Sequence, residues 1–185
     1  ELAFEEARTA DIIATQLTRW GIQVHPGLAK TGVVGIIKGQ PGQRSIGLRA
    51  DLDALPMTEH NQFAHASQHP GKMHACGHDG HTAMLLAAAQ YLAKHRDFAG
   101  TVYLVFQPAE ESRGGAREMI RDGLFERFPM DAIFCLHNWP GLAAGDIAVR
   151  SGPCFASSNE FRIVVRGKGC HGAMPHLGID PVPVA

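Results

Sequence analysis

"GTVYLVFQPAEE", residues 100–111, is the stretch on which the fold turns. From Gly100 to Pro108 it is an almost unbroken apolar run of strand length. A strand that is apolar on both alternating faces has both faces covered, which places it in the middle of a sheet flanked by helices. The run ends on two adjacent carboxylates, Glu110 and Glu111.

Working outward, residues 82–95, "TAMLLAAAQYLAKH", are rich in alanine and leucine and predict a helix. Leu2, Ala7, Ala10, Ile13, Leu17 and Trp20 recur at helical spacing and predict an amphipathic first helix closed by Gly21. "TGVVGIIKG" (31–39) and "SIGLRADLDAL" (45–55) predict strands separated by a "GQPGQ" turn, and a helix is expected around residues 115–121. "DAIFCLHN" (131–138) is expected as a short buried strand, with Cys135 a small apolar side chain inside it. "GDIAVR" (145–150) and "NEFRIVVRG" (159–167) also have strand patterns. Strands alternating with helices give an α/β fold with a mixed, largely parallel sheet flanked by helices. A shift to small polar residues at "SGPCFASSN" divides the chain into domains 1–152 and 153–185.

Composition narrows the function classes. A hydrophobic content of 45% against 19% charged residues is that of a globular protein with a real core. A net charge of -1 leaves no electrostatic footprint for nucleic acid or an anionic membrane. No apolar stretch approaches the roughly 18 residues of a membrane span, and no signal-peptide pattern is read. Four cysteines without a CxxC pair do not make a disulfide framework, so a reducing, cytoplasmic location is expected.

The chemical residues recur where strands end: Asp51 and Asp53 in "RADLDALP", Glu110 and Glu111 in "FQPAEE", His137 in "CLHN". In open α/β sheets ligands gather beyond the carboxyl ends of the strands. One sheet can therefore aim all of these, and "MHACGHDGH" (73–81), at one point. Taken singly each has a plain structural reading. The aspartates suit a solvated strand end, the glutamates the start of a helix, and His137 a core histidine; His65, His69, His74 and His95 are read as solvated. Cys76 with His78 is the exception, since their short spacing in a glycine-bearing loop favours metal ligation. Thiolate, imidazole and carboxylate together suit zinc and its first-row neighbours rather than calcium or magnesium. No GxSxG, P-loop or GxGxxG motif offers another chemistry.

"RADLDALPM", "MHACGHDGHTAML", "FQPAEE", "LHNWP" and "GKGCHGAMPH", in this order, resemble the M20 peptidase family, in its amidohydrolase branch of hippurate and auxin-conjugate hydrolases. The resemblance implies a zinc-aminopeptidase-like catalytic domain followed by the start of a smaller α+β lid or dimerisation domain. It implies two divalent metal ions, zinc or manganese before cobalt or nickel, held by Cys76, His78, Glu111 and His137 with the Cys76 thiolate bridging. Glu110 is then the general base that activates a water, Asp53 the supporting aspartate, and His171 the histidine that reaches the substrate carbonyl, often from the partner subunit of a homodimer. His81 and Asp51 are placed beside the ligands without binding metal. Cys170 stands where the motif usually has glycine.

The implied reaction is hydrolysis of the amide of an N-acyl amino acid through metal-activated water. A dipeptidase or aminopeptidase of the same superfamily, and a non-catalytic zinc-stabilised binding module, are the alternatives. The family's remaining histidine ligand and the rest of its catalytic domain are expected beyond Ala185, so the 185 residues are read as part of a longer protein, with weak metal binding and little activity alone.

Overall fold

The computed structural model describes residues 1–111, 113–157, 159 and 161–185. The chain forms two compact units, Glu1–Gly141 and Leu142–Ala185, and the compositional shift at residue 152 falls inside the second.

The first unit is built on a sheet that has five strands among the described residues, in the order β1-β2-β4-β3-β5. These are β1 (Gln23–Leu28), β2 (Gly32–Lys38), β3 (Gln40–Asp51), β4 (Ala99–Gln107) and β5 (Ala132–Cys135). The helices are α1 (Ala7–Arg19), α2 (His78–Lys94), α3 (Gly115–Arg121) and α4 (Leu124–Arg127). β4 lies in the middle, as its apolar run requires, antiparallel to β2 and parallel to β3. β5 adds a second parallel pairing on β3, while β1 pairs antiparallel with β2, so the sheet is mixed.

Alternation along β4 divides the core between two faces. Val102, Leu104 and Phe106 pack with Ile13 and Leu17 of α1 and Leu85 and Ala89 of α2. Val105 packs on the opposite face with Met119, Leu124 and Phe128. Each fully buried side chain of this size contributes about 1.5–3 kcal/mol, and only a strand with a core on both sides collects it from every residue.

Several elements differ from the sequence-based expectation. α1 begins at Ala7, not Leu2, because Leu2 is held in a bridge with Ala54. Its first turn is capped by the Glu1 carboxylate, which accepts the N–H groups of Arg8 and Thr9 at 3.0 and 2.8 Å. α2 begins at His78, a turn earlier than its alanine-rich stretch predicts, after Gly77 at φ 86°. That places His78 and His81 on one helical face. β1 has no sequence signature, since "QVHPGL" contains proline and glycine; at a sheet edge, with the register shifting between Pro26 and Leu28, both are tolerated.

β5 is not a buried strand. Among the described residues it pairs with β3 alone, and its four residues are exposed, Cys135 included. The expected strands at 145–150 and 159–167 are absent among the described residues, with Val149 95% and Phe161 86% exposed; Glu160 lies outside the described residues. Alternating side chains make a strand only where a neighbour satisfies the backbone, and in the second unit the described pairing is one bridge between Lys168 and Ile179. No helix of the described residues is long and apolar enough to cross a membrane.

Candidate metal centre

Parallel pairing brings three chain segments to one edge of the sheet. Asp51 is level with Gln107 across β3 and β4, and Arg49 with Cys135 across β3 and β5. The residues that follow, Asp53, Glu110, Glu111 and His137, therefore emerge side by side, and the start of α2 adds Cys76, His78 and His81.

His78 is the hub. It is fully buried, and its Nδ1 lies 2.9 Å from the Asp53 carbonyl oxygen and 3.3 Å from Asp53 Oδ1. With the proton held there, Nε2 presents a lone pair to the acids: Asp51 Oδ2 at 3.6 Å, Glu111 Oε1 at 3.7 Å and Glu110 Oε2 at 3.9 Å. None of these is a hydrogen bond. His78 Nε2 and Glu111 Oε1 are both buried without a partner among the described residues. Buried polar atoms are rarely left so, and an unmet pair costs about 1–3 kcal/mol per group. Two ligand atoms about 2.1 Å from one cation at a tetrahedral angle lie roughly 3.4 Å apart, close to the observed gap. The donor set thus fits a metal ion.

Cys76 Sγ is 3.4 Å from His137 Nε2, and His137 Nδ1 is 2.7 Å from the Asn138 carbonyl oxygen. Both imidazoles therefore hold Nδ1–H on a backbone carbonyl and offer Nε2, the arrangement that fixes a ligand tautomer. Three groups of potential ligands are found among the described residues: Cys76, His78 and His137; Asp51, His78 and His81; His78, Glu110 and Glu111. All three share His78. One cluster of this size can serve two ions.

Residues 47–181 match Peptidase family M20/M25/M40. The chain belongs to this family. It is 46% identical over 185 residues to a hippurate hydrolase of Campylobacter jejuni, covering 100% of the chain and 48% of that protein. It is 45% identical over 183 residues to an N-acetyl-L-cysteine deacetylase of Bacillus subtilis, covering 98% and 44%. The crystal structure of a Bacillus subtilis protein described as a dinuclear metal binding peptidase from the M20 family superposes with a TM-score of 0.78 at 42% identity, covering 83% of this chain and 43% of that one. The chain spans about half the length of the curated relatives it matches.

In this M20 chain four carboxylates, Asp51, Asp53, Glu110 and Glu111, lie around His78. Burial pushes the Asp53 carboxyl up, but hydrogen bonds from His78 and from the Glu110 and Glu111 N–H groups outweigh it and hold it below the usual carboxylate range. Burial alone would lower His78; the Asp53 hydrogen bond and the charges of Asp51, Asp53 and Glu111 raise it instead. The Cys76 thiol is pushed up to about 12, first by burial, then by Glu111, Glu110 and Asp51. Without a cation this site opposes a thiolate; with one it favours it.

His81 and Asp51 form a supporting chain. Arg49 pairs with Asp51 at 2.9 Å, Asp51 Oδ1 lies 2.6 Å from His81 Nδ1, and His81 Nε2 accepts the Asn138 N–H at 3.0 Å. This network ties the segment carrying His137 to α2. Sequence reasoning missed Arg49 and Asn138, whose only signal is adjacency to Asp51 and His137. His74 has a buried Nδ1 with no partner, contrary to its reading as solvated, but it joins none of the three groups. Glu110 is more open than Glu111, with side chains 41% and 21% exposed. His171 belongs to the second unit, where it is exposed and its Nδ1 accepts the Ala173 N–H at 3.1 Å.

Proposed function

We propose that the protein carrying this chain is a metal-dependent amidohydrolase that cleaves the amide bond of N-acyl amino acids. The observation that carries the reading is the pair of partnerless buried atoms, His78 Nε2 and Glu111 Oε1, facing each other inside a ring of further donors. Cys76, His78, Glu111 and His137 would hold two divalent ions, zinc or manganese before cobalt or nickel. Bound there, the ions supply Lewis acidity toward the carbonyl and acidify water.

The chain's own groups do the rest. Asp53 holds the Nδ1 proton of His78 and, through two backbone N–H groups, the turn that presents both glutamates. Glu110, partly open to solvent, takes a proton from the attacking water and returns it to the leaving amine. Arg49, Asp51, His81 and Asn138 orient His137. From the family resemblance alone, His171 is assigned to the substrate carbonyl, contributed by the partner subunit of a homodimer, and a cytoplasmic location is kept.

The acyl-amino-acid class is supported by relatives named hippurate hydrolase, N-acetyl-L-cysteine deacetylase and, in Geobacillus stearothermophilus, N-acyl-L-amino acid amidohydrolase. A second reading, peptide substrates with a free carboxylate, is favoured by a relative named thermostable carboxypeptidase 1, 42% identical. Assays on hippurate-like and dipeptide substrates separate the two. Glu110→Gln in the protein carrying this chain is expected to keep its metal and lose turnover by about 100-fold or more. Undiminished turnover would remove Glu110 from the base role, and bound metal with no hydrolysis of any amide by the unmodified protein would favour a structural zinc module.

A further inference from the structure

Three consecutive backbone N–H groups at the end of β4 are received by carboxylate oxygens. Ala109 N–H donates to Glu6 Oε1 at 2.9 Å, Glu110 N–H to Asp53 Oδ1 at 3.0 Å, and Glu111 N–H to Asp53 Oδ2 at 3.1 Å. Ala109 is fully buried and has φ 52°, in the left-handed region. For alanine that conformation costs about 1–2 kcal/mol and persists only where the surroundings impose it. Asp53 is already accounted for by His78. Glu6 is not.

Glu6 is the residue before α1, where a polar side chain ordinarily caps the helix, yet it makes no cap. Glu1 caps instead. The Glu6 side chain turns inward, is fully buried, accepts the Thr31 hydroxyl at 2.6 Å through its other oxygen, and reaches a residue 103 positions away. A buried carboxylate is costly unless its partners need it. Its one backbone partner among the described residues is the strained residue that precedes Glu110 and Glu111.

We propose that Glu6 is a positioning residue of the metal centre: its carboxylate clamps the left-handed Ala109 turn and so aims the Glu110 and Glu111 side chains at His78. The proposal rests on the reading above, in which Glu111 is a ligand and Glu110 the base. Without Glu6 the Ala109 N–H is buried with no acceptor, and the turn relaxes toward negative φ. That rotation swings the peptide from which both glutamates project.

The test uses the protein carrying this chain, stripped of metal and titrated with Co2+ while its d–d and thiolate charge-transfer absorption is followed. Glu6→Gln keeps an oxygen for Ala109 and an amide for Thr31, so Co2+ affinity is expected within about threefold of the unmodified protein. Glu6→Ala is expected to weaken Co2+ binding by about 10–100-fold, as loss of an orienting partner does, with altered d–d bands. Thr31→Val removes the other partner of the carboxylate and is expected to bind Co2+ normally. Unchanged affinity and spectrum in Glu6→Ala overturn the clamp, as does an equal loss in Thr31→Val. Should Glu6→Ala not fold, hydrogen exchange of the unmodified metal-free protein decides: strong protection of the Ala109 amide supports the clamp, and free exchange there overturns it. If the unmodified protein shows no Co2+ bands, the metal reading fails and the same exchange measurement still judges Glu6.

Discussion

His78 Nε2 and Glu111 Oε1 face each other 3.7 Å apart, each buried and each without a hydrogen-bond partner among the described residues. They come from the start of α2 and from the turn that follows β4, which runs parallel to β3. A lone pair on Nε2 and a carboxylate oxygen so placed repel unless a proton or a metal cation lies between them.

Chelation should therefore destabilise the first unit. An ion present at 1,000 times its Kd adds about 4 kcal/mol, which for a chain of this size raises Tm by about 10 °C. Thermal unfolding with and without a chelator measures it; superimposable curves would mean that no ion is held.

Cys76 should be the least reactive cysteine of the metal-free protein. Its thiol is pushed up to about 12, so at pH 8 it is protonated, with about one part in 10,000 as thiolate. Raised pKa means that reactivity appears only as pH climbs toward that value. Iodoacetamide labelling read by mass spectrometry should modify the exposed Cys135, Cys154 and Cys170 first. Metal addition at pH 8 should release a proton as the thiol becomes a ligand; early labelling of Cys76 would contradict its placement.

Gly77→Ala should damage both stability and site. Gly77 is at φ 86°, and an added Cβ would collide with the Asn138 carboxamide. A loss of about 1–3 kcal/mol is expected from the backbone alone. Because Asn138 adjoins His137, Co2+ binding through Cys76 and His137 should weaken with it. Wild-type Tm together with wild-type Co2+ spectra would show that the close approach is unnecessary.

Glu1→Gln should lower stability in a pH-dependent way. Burial raises the Glu1 carboxyl, but hydrogen bonds from the Thr9 and Arg8 N–H groups and the Thr9 hydroxyl outweigh it, so its folded pKa lies below the ordinary 4.5. A depressed carboxyl stabilises above its unfolded pKa, and that contribution is lost as pH falls through the folded value. The variant should be about 1 kcal/mol less stable at pH 7, the size of a helix cap, and the gap should narrow as pH falls below 4.5. Denaturant melts across that range decide; a gap that stays constant into acid would point to packing instead.

The sequence by itself determined what is local. A run apolar on both faces, "TVYLVF", can be stable only between two cores, so β4 was legible as the central strand. The alanine-rich body of α2, the helical spacing in α1 and the short spacing of Cys76 and His78 were legible for the same reason, since each is carried by neighbouring residues, whereas Glu111 and His137 stood out as ligands only through the family resemblance. Tertiary structure decided the rest. β1 exists because β2 supplies its hydrogen bonds, and β5 is exposed because it pairs on one side alone. His78 became the hub on Asp53, Asn138 met His81 and Glu6 met Ala109 through contacts across tens of residues that no local pattern encodes. Side-chain chemistry is written residue by residue, but the distance between two donors depends on strand register and helix placement, which only the folded chain establishes.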